Sequence, residues 1–342
     1  MRDNKNKWLL ATSAAALALG SASLASANTL QNTLERGAVQ CGVSDGLPGF
    51  SAPDDQGEWQ GLDVDVCRAV AAAVFGDAEA VRYISLNAVE RFTALQSGEV
   101  DILSRNTTWT TTRDTTLGLN FAGVNFYDGQ GFLVSRDLGV SSASELDGAA
   151  VCIQSGTTTE LNLADYFRAN GMEFDPIVFD TSEQTVGGFE AGRCDVLTSD
   201  TSQLAALRIQ LSDPDSAVVL SDVISKEPLG PVVRQGDDQW FNIVKWSLFA
   251  MLNAEELGVT SENADEMRDS SNPDIARLLG QDGNYGEGMG LDANWAYNIV
   301  SQVGNYAESF ERNVGMDSPL QIERGANALW TDGGFQYAPP IR

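Results

Sequence analysis

The 342-residue chain carries 21 Lys and Arg against 48 Asp and Glu, a net charge of −27, and it contains no histidine. That charge repels nucleic acid and anionic membrane surfaces. The missing histidine excludes Ser-His-Asp and Cys-His catalysis and the commonest zinc ligand, and neither a metal site nor a cofactor is expected.

Residues 1–27 have the layout of a secretory signal: Arg2, Lys5 and Lys7, an apolar run from Trp8 to Leu19, then Ala25-Ser26-Ala27. Cleavage after Ala27 is expected, leaving 18 basic against 47 acidic residues, a net charge of −29. No later stretch reaches the roughly 18 apolar residues of a membrane span, because even 240–252 is cut by Asn242, Lys245 and Ser247. The absence of a lipid-attachment Cys in the signal favours a free periplasmic protein.

After the signal, strand and helix patterns alternate, which argues for a largely parallel α/β sheet. Residues 39–43 read as a strand, 63–75 as an amphipathic helix, 80–86 as a strand, 89–96 as a helix ended by Ser97-Gly98, and 100–103 as a strand. The next residues, Asn106-Thr107-Thr108-Trp109-Thr110-Thr111-Thr112-Arg113-Asp114, set hydroxyls beside one Arg at the carboxyl edge of that sheet. Ligands of open α/β sheets bind at this edge, and a guanidinium grips a carboxylate with two parallel bonds. The loop is therefore either a grip for a small carboxylate or a solvated Thr-rich turn.

A similar pattern restarts with a strand at 149–153 and a helix opened by Gln154-Ser155-Gly156-Thr157-Thr158-Thr159-Glu160. Its first N–H groups suit an anion, while Thr157 or Thr158 with Glu160 would also make an ordinary N-cap. A strand at 178–180, a helix at 183–191 and a strand at 195–197 lead to Asp200, which can cap the helix that follows or face a ligand. The extended segments 126–134 and 229–235 are assigned as two hinge strands, giving a first lobe of residues 28–128 and 235–342 and a second of 129–234. Helices are expected at 238–256 and 295–312. In the tail, 314–342, Trp330, Phe335, Tyr337 and Pro339-Pro340 read as packing anchors.

All four cysteines lie beyond the signal, and an even count there argues for disulfides, with buried free thiols as the alternative. Cys41 lies in the first strand pattern and Cys67 on the following helix, while Cys152 and Cys194 belong to the second unit. Cys41 with Cys67 and Cys152 with Cys194 are the expected pairs.

Nearly the whole mature chain resembles the amino-acid-binding proteins of bacterial periplasmic solute-binding protein family 3, and most closely the general L-amino-acid-binding branch. The resemblance rests on Gly61-Leu62-Asp63-Val64-Asp65-Val66, Ser97 to Arg113, Gln154 to Glu160, Gly192 to Asp200, Ser225-Lys226-Glu227-Pro228 and the ending Tyr337-Ala338-Pro339-Pro340-Ile341-Arg342. It implies the two-lobed type II periplasmic binding fold, with a ligand cleft between the lobes. It also implies a monomer that captures free L-amino acids and hands them to the membrane permease of an ABC transporter. By this resemblance Arg113 holds the α-carboxylate, Thr108 assists it, Thr157 and Thr158 donate from the second lobe, Asp200 pairs with the α-ammonium, and Asn106 contributes on the ammonium side.

Some relatives carry an acid just after the first strand and an aromatic three residues later, where this chain has Ser44 and Leu47. With Gln154 and Ser199 in the second lobe, none of these supplies a strong charge for the ligand's side chain, so broad specificity is expected. An exported dehydratase-like enzyme and a chemoreceptor-linked sensor are the alternatives.

Overall fold

The computed structural model describes residues 28–342, and the expected signal lies outside them. Helix α1 (Thr29–Arg36) leads into strand β1 (Val39–Val43), a short hairpin of β2 (Ala52–Pro53) and β3 (Trp59–Gln60), and helix α2 (Leu62–Phe75). Strand β4 (Val81–Ser85), helix α3 (Arg91–Ser97) and strand β5 (Ile102–Leu103) follow. β1 is almost wholly buried and pairs in parallel with β4 on one side and β5 on the other. Strands covered on both faces must be apolar throughout, and Val39, Cys41 and Val43 meet that demand.

Arg113 sits not in an open loop but in a short helix, α4 (Thr111–Thr115), which is followed by β6 (Leu119–Phe121), β7 (Phe126–Asp128) and β8 (Gln130–Ser135). The second unit runs β9 (Ala149–Gln154), α5 (Thr158–Asn170), β10 (Phe174–Phe179), α6 (Ser182–Glu190), β11 (Val196–Asp200), α7 (Thr201–Arg208) and β12 (Ala217–Val219). β10 is longer than its sequence pattern suggests. Asp175 and Pro176 interrupt the apolar run, but the strand is tolerated at the sheet's edge, where it pairs only with β9.

The chain closes with β13 (Glu227–Leu229), β14 (Val232–Arg234), the long α8 (Asp238–Glu256), and α9 (Ala264–Met267), α10 (Pro273–Leu278), α11 (Trp295–Val303) and α12 (Tyr306–Asn313). The expected single helix over 295–312 is two. Gly304 takes φ 96° and Asn305 caps α12, accepting from the Glu308 N–H while the Glu308 carboxylate accepts from Asn305 N–H.

Two five-stranded sheets result, ordered β4-β1-β5-β14-β6 and β10-β9-β11-β8-β12. They are the cores of two lobes, as in type II binding proteins. Each expected hinge segment divides in two. β7 pairs antiparallel with β13 as the hinge, whereas β8 joins the second sheet and β14 the first. The break in the first segment is Gly129, where a Cβ would stand 2.3 Å from a Val223 methyl carbon. The expected lobe boundary at 234 is accordingly corrected, because β14 pairs with β5 and β6 of the first lobe.

The tail lies along the first lobe and grips the hinge. Asn327 accepts from the Tyr127 N–H at 2.7 Å and donates to the Tyr127 carbonyl at 3.1 Å. Its buried anchors are Asn327, Leu329, Gln336, Ala338 and Ile341, while Trp330, Phe335 and Tyr337 are more than half exposed. The aromatics are thus surface residues and not the expected packing anchors: Trp330 packs edge-on to Tyr337, and Phe335 to Tyr127.

Both expected disulfides are formed, with Cα separations of 6.2 Å for Cys41–Cys67 and 5.6 Å for Cys152–Cys194. Cys41–Cys67 staples β1 to α2, and Cys152–Cys194 staples β9 to the loop that leads into β11, each within its own lobe. Chain entropy puts their contributions at about 3.5 and about 4 kcal/mol as upper-end figures. Replacing either pair with alanines should lower the denaturation midpoint with little effect on ligand affinity, as chemical unfolding followed by tryptophan fluorescence would show.

Candidate functional site

The Thr-Arg segment is held by its backbone to the hinge. Trp109 N–H donates to the Pro228 carbonyl at 2.8 Å, Gly230 N–H donates to the Thr107 carbonyl at 3.1 Å, and Thr108 bridges Leu229. Thr110 caps α4, its hydroxyl accepting from Arg113 N–H at 3.3 Å, and one Arg113 Nη1–H donates to the Thr108 carbonyl at 2.9 Å. Arg113 is thereby fixed and 7% exposed, with no carboxylate within 4.0 Å among the described residues. Burial pushes its pKa down to about 10, opposed by Glu227 and Asp200. The guanidinium remains cationic at neutral pH and lacks a paired anion.

Beneath this segment lies Asp63, a buried carboxylate on α2. It accepts from Asn106 N–H at 2.7 Å, Asn125 Nδ2 at 3.0 Å and the Ser104 hydroxyl at 3.3 Å. These bonds hold Asn106 in the left-handed region, φ 35°, a conformation that asparagine tolerates better than most residues. Asn106 Nδ2 then donates to Gln203 Oε1 of the second lobe at 3.1 Å.

Asp200 resolves one sequence ambiguity. It occupies the N-cap position of α7 but makes no capping bond. The capping is done by Asp128 of the hinge, which accepts from the Thr201 hydroxyl at 2.6 Å, from Ser202 N–H at 3.2 Å and from the Ser202 hydroxyl. Asp200 is thus released from structural duty. Burial, then the negative charges of Asp128 and Glu227, hold its carboxyl well above the usual carboxylate range, while Arg113 and Arg91 pull the other way.

The second ambiguity resolves the same way. Thr157 sits at the N-cap of α5 without capping it, its hydroxyl donating instead to the Gln154 carbonyl at 2.8 Å. Thr158 Oγ1 donates to Glu227 Oε2 at 3.0 Å and stands 3.4 Å from Thr108 Oγ1. The start of a thirteen-residue helix is therefore uncapped by side chains and faces the Arg113 segment, an arrangement that favours an anion between them. Gln154 lies deeper in the second lobe. It accepts from Ser182, which accepts from Gln203, and so it is connected to Asn106 across the cleft.

Ser44 lies at the end of β1, its hydroxyl donating to Asp45 at 3.3 Å. It meets the cluster only indirectly, because Asp45 pairs with Arg105 at 3.7 Å. The structure adds residues that the sequence reading passed over: Arg91, Arg105, Asp128, Gln203 and Glu227. Arg91 Nη2 donates to the Gly156 carbonyl of the other lobe at 3.3 Å. With the Thr108–Thr158 and Asn106–Gln203 contacts, this bond marks the cleft as closed. Glu227 stood inside a matching stretch, but its isolated position between Lys226 and Pro228 gave no pattern to mark it as functional.

The family model for bacterial extracellular solute-binding proteins, family 3, matches residues 39–263. The chain is 60% identical to the putative amino-acid ABC transporter-binding protein YhdW of Escherichia coli, over 98% of this chain and 99% of that one. It is 58% identical to the general L-amino acid-binding periplasmic protein AapJ of Rhizobium johnstonii, over 99% of this chain and all of that one. Among solved structures, an ABC transporter periplasmic binding protein from Brucella ovis with glutathione bound matches with a TM-score of 0.91 and 55% identity. That match covers 92% of this chain and all of the other.

Proposed function

The chain belongs to the bacterial extracellular solute-binding proteins of family 3, and we propose that it captures free L-amino acids, with a broad range of side chains, and delivers them to an ABC-type permease. The observation that carries this reading is the pairing of roles across the cleft: a buried Arg113 without an anion in one lobe and a non-capping Asp200 in the other. A zwitterion taken out of water loses hydration at both ends, and both charges then need partners.

In this scheme the α-carboxylate lies on Arg113, with Thr108 and the N-terminus of α5 donating, and the α-ammonium lies on Asp200. Both ends are satisfied only when the lobes meet, so ligand selects the closed state and the closed surface is what the permease reads. The relatives' names support amino-acid transport and a periplasmic location. A monomer suffices, since every group of the scheme comes from one chain.

Titrating the protein with individual L-amino acids, while product formation is followed in the same samples, tests the reading. Heat saturating at one ligand per chain without product is expected. Sustained turnover would instead favour a dehydratase-like enzyme.

A further inference from the structure

The hinge strand β7 pairs with β13 along one edge and offers its other edge to the tail. A strand edge leaves backbone groups that need partners. Asn327 supplies both at Tyr127, accepting from the N–H at 2.7 Å and donating to the carbonyl at 3.1 Å. Asn327 is 4% exposed and is itself held in place. Arg324 Nε and Nη2 donate to its carbonyl at 3.2 and 3.1 Å, and Nη2 also reaches Glu255 of α8 at 2.8 Å. The tail thus carries a fixed point of the first lobe onto the hinge strand.

That contact reaches the cleft through the next residue. Asp128 caps α7 by accepting from Thr201 and Ser202, and this cap is what relieves Asp200 of a capping role. A second path starts at Gln336, which is 2% exposed. Its Nε2 donates to the Tyr306 hydroxyl at 3.2 Å, and that hydroxyl donates to the Asn125 carbonyl at 2.8 Å. Asn125 Nδ2 in turn donates to Asp63, the carboxylate that accepts from Asn106 N–H. The two paths therefore end at Asp200 and Asn106, the residues expected at the ammonium end. The carboxylate end is fastened by a different route, the bonds of Trp109 N–H to Pro228 and of Gly230 N–H to Thr107. Both paths begin in residues beyond the span 39–263 that the family model matches.

We propose that the C-terminal tail is a working part of the binding site, with Asn327 and Tyr306 as positioning residues that set the ammonium end of the cleft. The inference rests on the amino-acid-capture reading and deepens it. A ligand held at two ends binds well only if the two grips are correctly spaced, and side chains behind the contacting residues fix that spacing. Asn327 sets the start of α7, and with it Asp200, through Tyr127 and Asp128. Tyr306 sets Asn106 through Asn125 and Asp63. Neither touches the ligand.

The experiment combines amide hydrogen exchange on the empty mature chain with calorimetry against L-glutamate, L-glutamine and L-alanine, for the wild type, Asn327→Ala and Tyr306→Phe. Exchange reports local opening amide by amide, so it separates a path from a general loosening. Asn327→Ala should speed exchange at Ser202 as well as at Tyr127, Tyr306→Phe should speed it at Asn106, and Trp109 and Gly230 should keep wild-type rates in both. Each variant should weaken every amino acid that the wild type binds by about tenfold, the scale of mutations acting through a packed network. Tyr306→Phe removes a single oxygen and keeps the test open if Asn327→Ala does not fold. Unchanged affinity in a folded variant would make the tail a structural brace and overturn the proposal. So would faster exchange at all these amides alike, or lost affinity with Ser202 and Asn106 exchanging as in the wild type. If the wild type binds none of the three amino acids, the capture reading itself fails and the tail's role in binding falls with it, a result distinct from binding that ignores the tail.

Discussion

Replacing Arg113 with alanine should abolish amino-acid binding while the empty protein melts within a few degrees of the parent. The ligand's carboxylate would enter a closed cleft without its guanidinium partner, and breaking one half of a buried charge pair costs about 3–5 kcal/mol, about two to three and a half orders of magnitude in affinity. The empty protein loses less. The bond from Nη1 to the Thr108 carbonyl goes, but so does the penalty of burying a cation with no carboxylate nearby. Thr108 stays in place because backbone bonds to Pro228 and Gly230 hold its neighbours. Arg113→Lys should fall between the two, because an ammonium keeps the charge without the two-pronged geometry. Calorimetry and a thermal melt on the same samples decide the matter, and retained micromolar affinity in Arg113→Ala would refute the assignment.

Asp200→Asn should weaken amino acids far more than their deaminated analogues, since only the former present an ammonium to this position. A pH dependence accompanies it. Burial raises the Asp200 carboxyl above the range of an unfolded aspartate, about 3.9, with Asp128 and Glu227 adding to the shift. A group raised on folding contributes stability that is complete below its unfolded pKa and lost as pH climbs through its folded one. The empty protein should therefore lose this contribution as pH rises across that interval. Over the same interval amino-acid affinity should grow, because the ammonium needs the ionised form. Comparing wild type with Asp200→Asn isolates both trends from the many other carboxylates. An affinity difference between the two that is flat with pH would count against the ammonium role.

The alternation of strands and helices was legible because buried parallel strands must be apolar and the helices between them amphipathic, and both disulfides followed from where Cys41, Cys67, Cys152 and Cys194 fell in that alternation. The division of the hinge segments was not. Phe126 to Ser135 is extended throughout, and only the packing of Val223 against Gly129 shows where the hinge strand ends and the second sheet begins. The two ambiguous helix starts at Thr157 and Asp200 could not be decided locally either. For Asp200 the actual cap, Asp128, lies 72 residues earlier in the chain, and no local pattern reports it. Arg91 was invisible for a related reason: in sequence it opens an ordinary amphipathic helix, and its significance appears only when Gly156 of the other lobe closes over it.

A crystal structure of the protein with a single L-amino acid bound tests the central claim most directly. The account predicts lobes closed on the ligand, the α-carboxylate on Arg113 within hydrogen-bond reach of Thr108 and the start of α5, and the α-ammonium on Asp200. A ligand seated elsewhere, or bound with its ammonium away from Asp200, would contradict it.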